Sequence, residues 1–223
     1  MTRPGSAAGA TARDAADAQP AQSPRRLRNT IDNRVVFLRE FLRNPRQIAS
    51  ITPSSRFLVR RIVELADPGS ARTVVELGAG TGGTTRAILA AMTPGARLLV
   101  VEINPRFCTL LRRIDDARLI VHCGTAVELR DALSRYGLPA PEAVVSGIPF
   151  STIDPATGSR ILETISSVLA VGGRFVAYQW SRQVDTLSRP LLGRAQVEMA
   201  PFNLPPMRLY RWVKRANGEQ AVA

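Results

Sequence analysis

The residues most able to do chemistry stand in the run VVELGAGTGGTT, residues 74–85. Gly78, Gly80 and Gly82 follow an apolar stretch and precede a helical one. Glycines so placed allow a tight turn and let a ligand come close to the backbone. A phosphate loop would need GxxxxGK[ST], and this loop has no lysine. A dinucleotide loop would read G-x-G-x-x-G, whereas here the spacing is G-x-G-x-G followed by Gly83. Glu76, just before the first glycine, adds a negative charge that suits an ammonium or sulfonium group better than a pyrophosphate. Glu102 lies twenty residues beyond Gly82. A carboxylate at that strand tip can accept hydrogen bonds from two ribose hydroxyls.

Three further features bear on chemistry. The segment 145–154 reads VSGIPFSTID and should follow a strand, so Ser146, Pro149 and Phe150 stand at its tip. His122, the one imidazole, falls at another strand end and reads as a structural group rather than a general base. Cys108 and Cys123 are too few for a disulfide framework or a four-cysteine zinc site, and no metal is expected.

The elements that must position these residues follow from the apolar pattern. Strands are expected at 73–77, 97–102, 118–122, 143–146 and 174–180. Helices are expected at 54–66, 84–92, 105–113, 126–136 and 158–170. This alternation predicts an α/β fold with a mostly parallel sheet covered on both faces. The tail breaks it: 196–200 and 207–214 read as two strands of a closing antiparallel hairpin, making seven strands in all.

Ahead of this domain the chain changes character. Residues 1–24 are mostly small and polar, and disorder is expected there. The segment 34–43, RVVFLREFLR, has a basic amphipathic pattern that can lie on a membrane or dock on the domain. We divide the chain into a tail at 1–24, basic helices at 25–69, a catalytic domain at 70–215 and a flexible tail at 216–223. The formal net charge is +12, and Lys214 is the one basic residue that is not arginine. Ten arginines face two acids between residues 25 and 61, and eight basic residues face two acids between 174 and 215. Both flanks should be drawn to anionic surfaces, whether phosphate backbones or lipid headgroups. No stretch of 18 or more apolar residues occurs and the first residues lack an apolar core of signal-peptide type, so neither a spanning helix nor a secretory leader is expected.

On ELGAGTG (76–82) and VVEINP (100–105), the chain resembles the class I S-adenosylmethionine-dependent methyltransferases, with their Rossmann-like fold. The resemblance covers about residues 70–213. It implies S-adenosylmethionine as cofactor, with S-adenosylhomocysteine as product. It places Gly78, Gly80 and Gly82 beneath the cofactor, Glu76 near its amino-acid end and Glu102 on the ribose. Ile103, Thr125, Ala126, Ser54 and Ser146 are expected around it. Thr125 stands where that family often has an acid facing the adenine.

A second resemblance is to bacterial phospholipid N-methyltransferases of the rRNA-methylase-like type. It rests on 41–45, ASITPSS (49–55), SGIPF (146–150) and FNLPP (202–206). It implies phosphatidylethanolamine and its methylated products as substrates. An ornithine lipid, or an adenine of rRNA or tRNA, is the alternative acceptor. Ser146, Tyr178 and Phe150 are then the expected acceptor-side residues, and Arg208, Arg211, Arg182 and Pro149 the substrate-binding ones. Arg56 is a further candidate for the headgroup anion. Arg34, Phe37, Leu38, Phe41 and Arg43 are the expected membrane-binding residues. The expectation is a monomeric, cytoplasmic, peripheral enzyme on the inner face of the membrane.

Overall fold

Strict alternation along the strands divides the apolar residues between two cores, one on each side of a sheet. The computed structural model describes residues 53–200 and 206–216. Seven strands are present there: β1 (Thr73–Leu77), β2 (Arg97–Glu102), β3 (Leu119–Cys123), β4 (Ala143–Ser146), β5 (Arg174–Gln179), β6 (Gln196–Ala200) and β7 (Met207–Val213). Their order in the sheet is β3-β2-β1-β4-β5-β7-β6. The first five run parallel, while β7 pairs antiparallel with β5 and β6 antiparallel with β7. This is the Rossmann-like class I methyltransferase architecture that the sequence predicts, closing hairpin included.

Among the described residues six α-helices cover the faces: α1 (Pro53–Ala66), α2 (Gly83–Ala91), α3 (Pro105–Leu111), α4 (Leu129–Arg135), α5 (Pro155–Val168) and α6 (Gln183–Leu192). Val74, Val100, Val145, Val176 and Leu209 pack with Ile62, Ile88 and Leu111 of the first three helices. Val75, Leu77, Val144, Phe175 and Trp212 pack with Leu129, Ile161, Leu162 and Val184 of the others. Strands buried on both faces read as continuous apolar runs.

Two expectations about elements are corrected. The stretch expected as one helix at 126–136 is a short 3-10 turn (Ala126–Glu128) followed by α4. Helix α6 was not expected, because its sequence QVDTLSRPLL is polar and carries Pro190. It buries only Val184 and Ser188, so its apolar stripe is too narrow to show as periodicity. A proline near the helix end removes few intrahelical bonds.

The expected tail at 1–24 and the helix at 34–43, with Arg34, Phe37, Leu38, Phe41 and Arg43, lie outside the described residues. So do 49–52 of the ASITPSS segment, 202–205 of the FNLPP segment, and the end of the chain from 217.

Candidate active site

Strand order reverses beside β1, whose neighbours are β2 and β4. The crossovers from β1 and from β4 therefore leave in opposite directions and open a crevice at the strands' C-terminal ends. A cavity of about 1210 Å³ lies there. One wall comes from the glycine turn, a second from Glu102 and Ile103 after β2, and a third from residues 124–128 after β3. The remaining wall comes from residues 147–149 after β4, Tyr178 on β5 and the first half of α1.

Glu76 sits where strand alternation calls for an apolar residue. Val75 and Leu77 flank it in the buried strand β1, and Glu76 itself is 1% exposed. Its Oε2 accepts a hydrogen bond from the Thr85 hydroxyl at 2.6 Å. Its Oε1 is buried with no hydrogen-bond partner among the described residues. Burial pushes its carboxyl up to about 7, the Thr85 bond opposes that, and the Glu102 charge adds to it. A cation brought to this oxygen would offset the cost of ionising it.

The turn after Glu76 holds Gly78, Gly80 and Gly82 at positive φ of 73°, 56° and 83°. Each glycine answers a different need. At Gly78 a Cβ would stand 3.3 Å from the Ile148 side chain, so the glycine lets the β1 and β4 loops meet. At Gly80 a Cβ would meet nothing within 4 Å, so the backbone there faces open cavity. The Gly80 amide donates to Glu102 Oε2 and the Asn104 amide to Oε1, each at 2.9 Å. Glu102 is thereby fixed by two backbone N–H groups, and each oxygen keeps acceptor capacity for a hydroxyl.

The third wall differs from expectation. Thr125 and Ala126 do line the cavity, and so do Glu128 and Asp131. The acid absent at 125 is thus present three and six residues later, on the turn and on α4. Glu128 Oε2 also accepts from the Thr125 amide at 3.1 Å. A carboxylate one helical turn away is hard to find from a strand-tip motif, and sequence reasoning missed both. His122 is buried, lies 3.6 Å from Glu128 Oε2 and packs edge-on against Tyr136. It does not line the cavity.

Of the expected acceptor-side residues, Tyr178 lines the cavity. Its hydroxyl lies against Gly147, where any Cβ would collide with it and come within 2.9 Å of the Gly78 carbonyl. Burial, then the Glu76 charge, push the Tyr178 hydroxyl above its usual range. It therefore remains protonated near neutrality, which removes it as a base and leaves it a hydrogen-bond donor. Ser146 and Phe150 are corrected: both are 0% exposed and neither lines the cavity. The Ser146 hydroxyl instead accepts from the Ile148 amide at 3.3 Å. Phe150 belongs to the core beneath α5.

The loop is held by a residue that sequence reasoning missed. Gln179, 2% exposed, accepts from the Phe150 amide and donates to the Ile148 carbonyl at 2.5 Å. Tyr210 and Trp212 are stacked in the core. Trp180 stands exposed beyond β5.

The cations are also redistributed. Arg208 and Arg211 on β7 and Arg182 before α6 do not line the cavity, whereas Arg56, Arg60, Arg86 and Arg160 do. Pro149 lines it. Arg86 is turned back to the carbonyls of Thr81 and Gly82, and Arg60 pairs with Glu64. Ser54 lies in the first turn of α1. Cys108 and Cys123, fifteen residues apart, are joined as a disulfide that links α3 to the end of β3, with Cα atoms 5.9 Å apart.

Comparisons with known proteins place the chain. No family model matches it. The chain is 33% identical over 180 residues to the ornithine lipid N-methyltransferase of Singulisphaera acidiphila, covering 78% of this chain and 93% of that protein. It is 37% identical over 100 residues to the ribosomal RNA small subunit methyltransferase A of Phenylobacterium zucineum, spanning only 33% of that protein's length. Among solved structures, the N-methyltransferase NodS from Bradyrhizobium japonicum WM9 in complex with S-adenosyl-L-homocysteine superposes with a TM-score of 0.63 at 15% identity. That match covers 77% of this chain and 96% of NodS. The 1,6-didemethyltoxoflavin-N1-methyltransferase of Burkholderia thailandensis, also with S-adenosylhomocysteine, gives 0.62 at 17% identity, covering 90% and 94%. The chain therefore belongs to the class I S-adenosylmethionine-dependent methyltransferases, in the family of the Singulisphaera ornithine lipid N-methyltransferase.

Proposed function

We propose that this enzyme methylates the amine of a lipid headgroup, with an ornithine-type headgroup ahead of phosphatidylethanolamine. The observation that carries this reading is the extent of the likeness to the ornithine lipid enzyme, which spans 93% of that protein. The likeness to the ribosomal RNA enzyme is confined to a third of that protein's length. The phosphatidylethanolamine reading rests on short segments, most of them outside the described residues.

The cavity agrees in shape and charge. Its volume of about 1210 Å³ exceeds the usual range for a single small ligand, leaving room for an acceptor. In this reading Gly80, Glu102, Ile103, Thr125 and Ala126 border the cofactor, and Glu76, buried and not itself part of the cavity lining, balances the charge of its cationic amino-acid end. When bound, S-adenosylmethionine supplies an electrophilic methyl group on a sulfonium. Residues 147–149 and Tyr178 hold the amine in line with it. The Tyr178 phenol donates to a polar group of the headgroup, and Arg56 and Arg160 at the cavity wall pair with its anionic group. The amine reacts through its lone pair, and therefore in its uncharged form, and rate comes mainly from positioning.

The test is to incubate the protein with methyl-labelled S-adenosylmethionine and, separately, ornithine lipid, phosphatidylethanolamine and bacterial RNA. Label in ornithine lipid, rising with pH as the free amine becomes available, is the expected outcome. Label in RNA alone would overturn the lipid reading. Label in phosphatidylethanolamine alone would restore the headgroup expected from the sequence segments.

A further inference from the structure

The edge at which the cavity opens also gathers exposed apolar side chains among arginines, and the chemistry above uses none of those apolar groups. Trp180 follows β5, two residues beyond the cavity-lining Tyr178, and is 51% exposed. Met199, on β6, is 53% exposed and stands opposite Arg208 in the β6–β7 ladder. Phe57, in α1 between the cavity-lining Arg56 and Leu58, is 50% exposed.

Register brings these residues to one edge. Because β7 runs antiparallel to β5, Arg208 at its beginning pairs with Gln179 at the end of β5. The Arg208 guanidinium donates to the Trp180 carbonyl at 2.6 Å. Helix α1 ends beside the turn that leads into the start of β1, so its first turns lie at the opposite, cavity edge. Arg182, exposed at the N-terminal end of α6, joins the same edge. The neighbouring acids Asp185 and Glu198 are paired with Arg189 and Arg61. The rim thus combines excess positive charge with large apolar groups.

We propose that this rim is a contact surface for an anionic bilayer: Phe57, Trp180 and Met199 enter the headgroup layer, and Arg182 and Arg208 pair with lipid phosphates. This rests on the lipid reading of the cavity. It recasts two arginines expected to hold one substrate molecule as a platform that faces many. Tryptophan and arginine suit an interface with one apolar and one wet side. The net charge of +12 supplies the long-range attraction. A phosphate backbone would reward the arginines but not an exposed methionine beside Arg208. The contact turns the cavity mouth toward the substrate's own layer.

The two tryptophans make the test direct, because Trp212 is 1% exposed and stacked on Phe175. The full chain is mixed with vesicles of brominated phosphatidylcholine, with and without brominated phosphatidylglycerol. Bromine in the acyl chains should quench wild-type emission only when phosphatidylglycerol is present. Emission of Trp180→Phe, which comes from Trp212 alone, should be unaffected. Trp180→Ser combined with Met199→Ser should bind anionic vesicles roughly tenfold more weakly and methylate vesicle-borne ornithine lipid correspondingly more slowly. Its rate on a short-chain ornithine lipid dissolved as monomers should match wild type. Unquenched Trp180 in a protein that methylates vesicle lipid would overturn the rim alone. Quenching by bacterial RNA instead of bromolipid would make the rim a nucleic-acid face and also overturn it. Methylation of RNA and of no lipid, whether dissolved or in vesicles, would remove the lipid reading itself.

Discussion

Glu76 carries the most distinctive electrostatics of any residue in the site. An unfolded glutamate ionises near 4.5, whereas the folded one is held protonated up to about 7. Between those values the native chain keeps a proton that the unfolded chain has released. Stability of the cofactor-free protein should therefore fall as pH rises through that window, by about 3 kcal/mol. Glu76→Gln should flatten this dependence in denaturant titrations. If the cofactor's ammonium pairs with ionised Glu76, cofactor affinity should run the other way. It should tighten about tenfold between pH 6 and 8, with a proton released on binding, and calorimetry in two buffers reads both. Gly147 makes a second residue-level case. Gly147→Ala should cut kcat/KM by roughly tenfold or more, because the new methyl group must displace the Tyr178 hydroxyl. The same change should cost much less in a Tyr178→Phe background, and a double-mutant cycle measures that coupling.

At the scale of elements, the loop after β4 matters most, since it faces both Tyr178 and the glycine turn. It has no regular ladder of its own beyond a short 3-10 turn at Phe150–Thr152. Its shape depends on the Gln179 side chain, which bridges the Ile148 carbonyl and the Phe150 amide. Gln179→Leu should leave both backbone groups unsatisfied in a buried place and cost about 2–4 kcal/mol. Activity should fall further than stability requires, because the acceptor wall loosens. Thermal unfolding together with kcat and KM at a temperature where the variant is folded separates the two effects. Glu102 is fixed in the same manner, by amides of two loops, so the β1 and β2 turns are set as one unit.

Across the whole molecule, the parallel sheet places every strand tip that matters at one edge, and the closing hairpin brings β7 to the same edge in reverse. No helix among the described residues is long and apolar enough to cross a membrane. In the proposed lipid reading, the rim of the cavity is the surface that meets the substrate's layer. Arg61 of α1 binds Glu198 of β6 at 2.7 and 2.8 Å, joining the beginning of the described chain to the final hairpin. Ligand binding should be felt across such a structure. S-adenosylhomocysteine at about a hundred times its Kd should add about 2.7 kcal/mol of stability. In a chain of this size that corresponds to roughly 5–10 °C in melting temperature. An unchanged melting temperature in differential scanning calorimetry would contradict a preformed cofactor site.

The sequence by itself determined the sheet, the glycine turn and the placement of Glu76 and Glu102. Those features are local: strand alternation, positive-φ glycines and strand-tip acids are written within a few residues of one another. Tyr178 and Pro149, expected as acceptor-side and substrate-binding residues, both line the cavity. Only the tertiary structure decided which cations and which acids face the cavity. Arg160 comes from α5, Glu128 and Asp131 from the turn and helix after β3, and the Gln179 clamp from across the β4–β5 ladder. Each depends on the angle at which a helix or loop returns over the sheet. The same packing moved Ser146 and Phe150 out of reach, since the bend after β4 turns one toward the Ile148 amide and the other into the core. Side-chain type fixes what a residue can do. Its distance from the strand tips, set by helix packing, decides whether it does so in the site.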